Sequence, residues 1–153
     1  FRSAGFAATV REQIAEAVAQ GATAHIPTFA ADDAGAYLTP QILTGVTHEM
    51  RVMREESFGP VVGIMSVKGD AEAITLMNDS DFGLTASVWT QDAMRAEAIA
   101  DQIETGTVFM NRADYPDPGL CWTGCKDTGR GGGLSVIGYH NLTRPKSYHL
   151  KKA

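Results

Sequence analysis

The 153 residues suit one domain with a core of useful size, and the hydrophobic fraction of 44% and charged fraction of 20% are typical of a soluble globular protein. The formal net charge is −5 and the basic residues form no block, so nucleic acid is not an expected partner. No apolar run approaches the roughly 20 residues that span a bilayer, so we expect no membrane span.

The first third of the chain predicts a helix followed by extended segments. Apolar residues recur at helical spacing near the start, and Gly21 suits the position just after a helix end. The expected segments are a helix over residues 8–20, a short strand over 24–27, an acidic surface loop over 28–36 and an extended run over 37–46. Because proline cannot donate to a strand ladder, Pro40 would confine the last segment to a sheet edge or an irregular stretch.

The middle of the chain alternates strands with helices. The expected strands cover residues 61–67, 84–89 and 107–111, and the expected helices cover residues 70–78 and 91–104. We expect Asp70 and Thr90 to cap these helices and Gly106 to end the second one. Met77 and Met94 are among the residues expected to face inward. The resulting β-α-β-α-β order predicts an α/β fold with parallel strands and right-handed crossovers.

The last part of the chain predicts a long loop and an extended tail. Residues 112–133 contain repeated Gly, Pro and Asp turn signals and should be mostly loop. Residues 135–142 predict a short helix, and residues 144–151 predict a polar extended strand. We therefore divide the chain into one domain, residues 1–143, and a protruding tail, residues 144–153.

Two features that resemble known sites are better explained as structure. Residues 129–133, which read GRGGG, follow a long loop rather than a strand, so a flexible turn is favoured over a phosphate-binding loop. Cys121 and Cys125 have no histidine at zinc-ligand spacing, and we expect two reduced thiols and no metal site. Reduced thiols predict a cytoplasmic location.

The stretch EESFGP at residues 55–60 places two carboxylates and an aromatic ring just before an expected strand. One interpretation is an acidic surface pair followed by a phenylalanine in the core. The other is a binding site, because two carboxylate oxygens match two vicinal hydroxyls of a ribose and the ring would pack beside the sugar. Gly59 would let the backbone turn tightly there. The pattern alone leaves both interpretations open.

Four short motifs follow one another in order over nearly the whole chain. They are EESFGPV at residues 55–61, NDSDFGL at 78–84, GTVFMN at 106–111 and WTGCKDTG at 122–129. In this order they resemble motifs from the C-terminal part of the catalytic domain of NAD(P)-dependent aldehyde dehydrogenases. The resemblance implies a family that oxidises an aldehyde to a carboxylate with NAD or NADP.

The resemblance also implies roles for individual residues. Glu56 matches the family's ribose-binding glutamate, and Phe58 matches the aromatic residue that contacts the nicotinamide-ribose part. Asn111 matches an asparagine beside the active site. The segment over residues 112–122 matches the wall of the aldehyde entrance. The candidate channel residues there are Asp114, Tyr115, Leu120 and Trp122.

The tail has an implied role as well. A lone strand that leaves a domain exposes unpaired N–H and C=O groups, so it needs a partner. Residues 147–151 match the family's oligomerisation strand, which pairs with a neighbouring subunit. We therefore expect a homodimer or a dimer of dimers.

The chain departs from the family pattern in two places. Residues 130–133 read RGGG where the family has G-R-E, and Thr123 stands where glycine is common. The family's nucleophilic cysteine, general-base glutamate, oxyanion asparagine and coenzyme domain lie upstream of every motif present, and Cys121 and Cys125 match none of them. Because the chain begins at Phe1, we interpret it as a fragment or processed product that holds no catalytic residue and is inactive alone. The alternative is a non-catalytic structural or interaction module, or an inert proteolytic product.

Overall fold

Helices and short strands alternate in the computed structural model, which describes residues 3–27, 35–113 and 115–152. They form two compact units, residues 1–68 and residues 69–153. The first unit contains α1 (Ala4–Ala19), β1 (Thr23–Ala24), β2 (Gln41–Thr44), α2 (Arg51–Arg54) and β3 (Val61–Ile64). The second contains α3 (Asp70–Asn78), β4 (Phe82–Gly83), β5 (Thr85–Val88), α4 (Ala93–Ala100), β6 (Thr107–Met110), β7 (Trp122–Thr123), β8 (Cys125–Lys126), β9 (Gly132–Gly133) and α5 (Ser135–Leu142). The predicted α/β class is confirmed, whereas most of the loop expected over residues 28–36 lies outside the described residues.

Helix α1 begins earlier than predicted because Ser3 caps it. The Ser3 hydroxyl oxygen accepts a hydrogen bond from the N–H of Phe6 at 3.5 Å. Gly21, with a φ of 107°, lies in the left-handed region just after the helix end, as predicted. Val10 and Ala17 are buried and form part of the apolar face of the helix.

The sheet of the first unit has the order β1-β2-β3, with β1 antiparallel and β3 parallel to β2. Strand β2 is therefore central rather than at a sheet edge, and Pro40 lies in the irregular stretch before it, which was the other predicted position. Pro40 lies one residue before the strand, and the N–H of Gln41 makes the first bond, to the carbonyl oxygen of Pro60 at 2.8 Å. The proline thus removes no bond from the ladder. The core beside this sheet consists of Ala17, Ala22, Leu43, Val46 and Met50.

The parallel pair of the second unit confirms a strand-helix-strand segment of the predicted order. Strands β5 and β6 pair from Thr85 opposite Thr107 to Val88 opposite Met110, and α4 forms the crossover between them. Two short antiparallel pairs, β4 with β8 and β7 with β9, organise the segment that was predicted to be mostly loop. The carboxyl ends of β5 and β6 lie side by side, which is where α/β proteins commonly place ligand sites.

The two predicted helix caps in this unit were wrong. Gly69 occupies the N-cap position of α3, and Asp92 caps α4 by accepting a hydrogen bond from the N–H of Arg95 at 3.0 Å. Asp70 is the first residue of α3, and its two oxygens accept bonds of 2.7 and 2.6 Å from the Arg95 guanidinium. Thr90 supports the α4 cap indirectly, because its hydroxyl oxygen accepts from the N–H of Asp92 at 3.1 Å.

The bounds of α4 also change which side chains face the core of the second unit. Ile103 is buried as predicted, but Met94 is 82% exposed because the helix begins after Asp92 and turns this side chain outward. Met77 is also exposed. Helix α4 ends at Ala100, so Gly106 does not terminate it.

The tail follows α5, which has the predicted bounds. Residues 144–152 form neither a helix nor a strand, and their side chains are exposed. The oligomerisation strand over residues 147–151 and the division after residue 143 stay predictions. No helix within the described ranges is long and apolar enough to cross a membrane.

Candidate functional site

The turn between α2 and β3 exposes an aromatic ring on a strained backbone. Phe58 has a φ of 42°, which residues other than glycine rarely adopt, and its side chain is 78% exposed. The interpretation of Phe58 as a core residue is therefore wrong. The positive φ falls on Phe58 rather than on Gly59, whose carbonyl oxygen accepts from the N–H of Val61 at 2.8 Å. Strained residues that present a side chain to solvent cluster at binding sites.

The two adjacent carboxylates have different surroundings. Glu55 accepts hydrogen bonds from Nε of Arg51 at 3.0 Å and from Nε2 of the buried Gln13 at 3.1 Å. These bonds hold the pKa of Glu55 below its usual value, and the bond from Arg51 has the larger effect. Glu56 is exposed and forms no hydrogen bond or ion pair with another described residue. Glu55 therefore ties the turn to α1, while Glu56 keeps both carboxylate oxygens available for a ligand.

A shallow pocket adjoins this turn. Its volume is about 270 Å³, and it is lined by Tyr37, Leu38, Phe58, Gly59 and Pro60. That volume lies just below the usual range for ligand pockets, about 300–1,000 Å³. The pocket therefore admits a small flat group rather than a whole dinucleotide.

Asn111 was predicted to be the last residue of a strand over residues 107–111, whereas it lies directly after β6 and joins the ends of two strands. Its side-chain oxygen accepts from the N–H of Thr90 at 2.9 Å, and its side-chain nitrogen donates to the carbonyl oxygen of Thr90 at 2.7 Å. Its backbone has a φ of 54°, in the left-handed region that asparagine tolerates better than most residues. The side chain thus links the segments that follow the carboxyl ends of β5 and β6.

The predicted channel segment exposes side chains after β6. The Arg112 guanidinium lies 4.0 Å from the centre of the Tyr115 ring, a cation–π contact. Leu120 is 59% exposed, and its N–H donates to the carbonyl oxygen of Asp117 at 3.0 Å. Asp114 lies outside the described residues.

Trp122 is half-buried and lies between the predicted channel segment and the glycine-rich turn. It pairs with Gly133 through β7 and β9, and it lines a pocket of about 290 Å³ together with residues 128–133. The hydroxyl of Thr123 donates to the carbonyl oxygen of Gly131 at 2.7 Å. The turn predicted over residues 129–133 thus contributes a short strand, β9, to the lining of this pocket. The candidate residues Glu56 and Phe58 belong to the first unit, and the described candidates from Asn111 onward belong to the second.

The profile of the aldehyde dehydrogenase family matches residues 2–148. This chain belongs to the aldehyde dehydrogenase family. The match includes all four motifs and every candidate site residue. The resemblance seen in the sequence is thereby confirmed.

Curated aldehyde dehydrogenases match most of this chain but only part of their own length. An aldehyde dehydrogenase of Paenarthrobacter nicotinovorans is 41% identical over 90% of this chain and 30% of its own length. The succinate semialdehyde dehydrogenase [NAD(P)+] of Escherichia coli is 38% identical over 87% of this chain and 29% of its own. The chain therefore spans about 30% of the length of these relatives.

Solved aldehyde dehydrogenases share the fold as well as the sequence pattern. A lactaldehyde dehydrogenase superposes with a TM-score of 0.88 at 30% identity, covering 97% of this chain and 31% of that one. An indole-3-acetaldehyde dehydrogenase solved in complex with NAD+ gives a TM-score of 0.84 at 32% identity, covering 94% of this chain and 30% of its own.

In this aldehyde dehydrogenase chain, a lysine of the motif at residues 122–129 forms hydrogen bonds to the motif at residues 78–84. The Lys126 ammonium donates to the carbonyl oxygens of Asn78 at 2.6 Å and Ser80 at 3.0 Å, and it lies 2.9 Å from a Glu104 carboxylate oxygen. The Asn78 side chain in turn accepts from the N–H of Glu104 at 2.8 Å and donates to the carbonyl oxygen of Gln102 at 2.7 Å. We call these five residues the lysine clamp. Neither Asn78 nor Lys126 was predicted to have a role, although each lies in one of the four motifs.

Replacing Lys126 with methionine should destabilise the second unit by about 2 kcal/mol, because two carbonyl oxygens lose a charged donor on a side chain that is only 22% exposed. Urea denaturation followed by circular dichroism measures this change. Glu104→Gln is the matched control, since it removes only the exposed partner and should cost less than about 1 kcal/mol. Equal losses in the two variants would contradict a clamp built on the carbonyl bonds.

The two cysteines of this chain are half-buried, unpaired thiols. A Cβ atom added to Gly132 would lie 2.7 Å from Sγ of Cys121, and Cys125 is part of β8. Both positions support a packing role for the thiols. Within the part of the chain that the structure describes, no group of three or more His, Cys, Asp or Glu residues could hold a metal ion.

Proposed function

We propose that these residues belong to an aldehyde dehydrogenase that oxidises an aldehyde to a carboxylate with NAD or NADP. The chain would contribute the nicotinamide-ribose contacts, one wall of the aldehyde channel and contacts between subunits. Family membership supports the reaction class. The observation that carries the coenzyme role is the turn that exposes Glu56 and Phe58 while Glu55 is bound internally.

The residues of this turn fit the reactive half of the coenzyme. Glu56 offers two acceptor oxygens that no described residue uses, which suits a vicinal diol. Phe58 and the pocket of about 270 Å³ offer an apolar surface to a flat ring. The similarity to the succinate semialdehyde dehydrogenase [NAD(P)+] and to the indole-3-acetaldehyde dehydrogenase solved with NAD+ supports this choice of coenzyme. When bound, the coenzyme supplies the hydride acceptor.

Glu56 and Phe58 would act by positioning. Hydride transfer requires the ring to lie in a narrow range of orientations, and restricting that range lowers the entropic part of the barrier. The support beneath the turn is stiff, because Arg51 binds Glu55 at 3.0 Å and Glu16 of α1 at 2.7 Å. These bonds help to maintain the strained φ of Phe58.

The second unit would supply one wall of the aldehyde channel. We propose that Tyr115, Leu120 and Trp122 contact the substrate, and we extend this prediction to Asp114. The exposure of Tyr115 and Leu120 and the half-burial of Trp122 support the assignment. Asn111 would act differently, because its amide is engaged with Thr90 and therefore holds the strand ends in place. The unpaired thiols support a reducing compartment such as the cytoplasm.

The proposal is tested by the activity of the isolated 153-residue chain. We expect no NADH from an aldehyde and NAD+, because the family's nucleophilic cysteine matches neither Cys121 nor Cys125. Absorbance of NADH checks this, and the same chain extended to the full length of its relatives is the positive control. NADH formation by the isolated chain that survives the double change Cys121→Ser and Cys125→Ser would overturn the proposal. An inactive extended protein would favour an interaction module.

We also propose that the tail is a subunit contact. Residues 144–152 are exposed and unpaired in the single chain, and Tyr148 and Leu150 are 70% and 86% exposed. A polar segment that leaves its backbone unpaired and exposes two large side chains is stable when it pairs with another subunit. Deleting residues 144–153 from the full-length protein should lower its mass in solution to that of a smaller assembly, measured by light scattering. An unchanged mass and melting temperature would rule out the assembly role.

A further inference from the structure

Tyr37 is an exposed aromatic residue to which the sequence analysis gave no role. Its side chain is 75% exposed, and it lines the same pocket as Phe58. The other lining residues, Leu38, Gly59 and Pro60, carry no side-chain charge. Two aromatic residues from different segments therefore share one small surface.

Both rings are carried by backbone that is held in place. Arg11 of α1 donates hydrogen bonds to the carbonyl oxygen of Gly35 at 3.0 Å and to that of Tyr37. Phe58 lies in the turn that leads into β3, whose parallel ladder with β2 begins at Val61. Because the backbone at Tyr37 and Phe58 is already ordered, binding of a ligand in this pocket costs the protein little backbone conformational entropy.

We propose that Tyr37 is a coenzyme-contact residue which, together with Phe58, holds the nicotinamide ring and favours its oxidised form. The inference rests on the proposed function, which brings the nicotinamide to Phe58. A flat ring suits two aromatic side chains, since offset-stacked and edge-to-face contacts are both favourable. A positively charged ring suits them better, because aromatic faces attract cations and Glu56, two residues from Phe58, adds a negative charge.

This charge distinguishes the two redox states of the coenzyme. The nicotinamide ring is a cation in NAD+ and is neutral in NADH. Cation–π contacts correspond to about a 2- to 30-fold change in affinity, depending on how far the ring is removed from water. Loss of the Tyr37 ring should therefore weaken NAD+ binding about fivefold and NADH binding about twofold or less.

The experiment measures dissociation constants by calorimetry on the full-length enzyme that contains this chain. The ligands are NAD+, NADH and ADP-ribose, which lacks nicotinamide. Tyr37→Leu keeps apolar bulk but removes the aromatic face, and Tyr37→Phe keeps the face without the hydroxyl. Tyr139→Leu is the matched control, because Tyr139 is 74% exposed on α5 in the other unit.

We expect Tyr37→Leu to raise the dissociation constant of NAD+ more than that of NADH, with ADP-ribose unchanged. Tyr37→Phe should restore NAD+ binding, and Tyr139→Leu should change none of the three constants. Equal weakening of all three ligands, or no weakening of NAD+, would overturn the role of Tyr37. If Phe58→Ala weakens NAD+ binding while Tyr37→Leu does not, only this inference fails. If neither variant weakens it, the proposed coenzyme role of the turn fails with it.

Discussion

Replacing Gly106 with alanine is expected to lower the free energy of unfolding of the second unit by about 3 kcal/mol. A Cβ atom at this position would overlap the carbonyl oxygen of Thr123 and lie 3.0 Å from the backbone nitrogen of Gly124. These are backbone atoms, which cannot rotate away as a side chain can. Relief would require moving Gly106, whose N–H donates to the carbonyl oxygen of Gly83 at 3.2 Å. Urea denaturation followed by circular dichroism measures the loss.

Gly133→Ala is the matched control for this prediction. Gly133 also lies in the second unit, but a Cβ atom there meets nothing within 4 Å and its φ is not in the left-handed region. Its replacement should change the free energy of unfolding by less than about 0.5 kcal/mol. If the two variants are equally stable, close packing is not the reason for glycine at position 106.

The sequence predicted elements well where local periodicity controls them. Helices α1, α3 and α5 and the parallel strands β5 and β6 follow directly from apolar spacing and turn residues. The caps were wrong because Asp70 and Thr90 are good capping residues whose side chains have other partners. Arg95, 25 residues further along, binds Asp70, and Asp92 is better placed than Thr90 to cap α4. Local propensity does not reveal such competition between partners.

The sequence predicted which residues form the candidate site, but not the separate role of each residue. The motif identifies the pair Glu55 and Glu56, yet only the fold shows that Gln13, 42 residues away, engages the first of them. The role of Lys126 was hidden for the same reason, because its carbonyl partner on Asn78 is 48 residues away. Gly106 was assigned to a helix end, whereas its neighbour is the Thr123 backbone. Long-range contacts of this kind leave no periodic trace in the sequence.

Glu56→Gln in the full-length protein is expected to weaken coenzyme binding about tenfold, with little effect on the melting temperature. The amide keeps one acceptor oxygen but loses the charge that strengthens a hydrogen bond from a ribose hydroxyl. The side chain has no described protein partner, so its loss should leave the fold intact. Calorimetric titration with NAD+ and NADP+ measures the first effect, and thermal denaturation measures the second.

Glu55→Gln is the matched control, because it changes the neighbouring carboxylate in the same way and should have the opposite outcome. It weakens the bond from Arg51, so the melting temperature should fall. The coenzyme dissociation constant should rise far less than in Glu56→Gln, because Arg51 still binds Glu16 and supports the turn. The pKa of Glu55 is held below its ordinary value of 4.5, so its stabilising effect is fully present above that pH and is lost as pH falls through the folded-state pKa. The difference in melting temperature between the wild type and Glu55→Gln should accordingly shrink as the solution is acidified from pH 4.5 downward. A variant of Glu55 that loses coenzyme affinity at an unchanged melting temperature would reverse the two roles, and it would make Glu55 the ribose ligand.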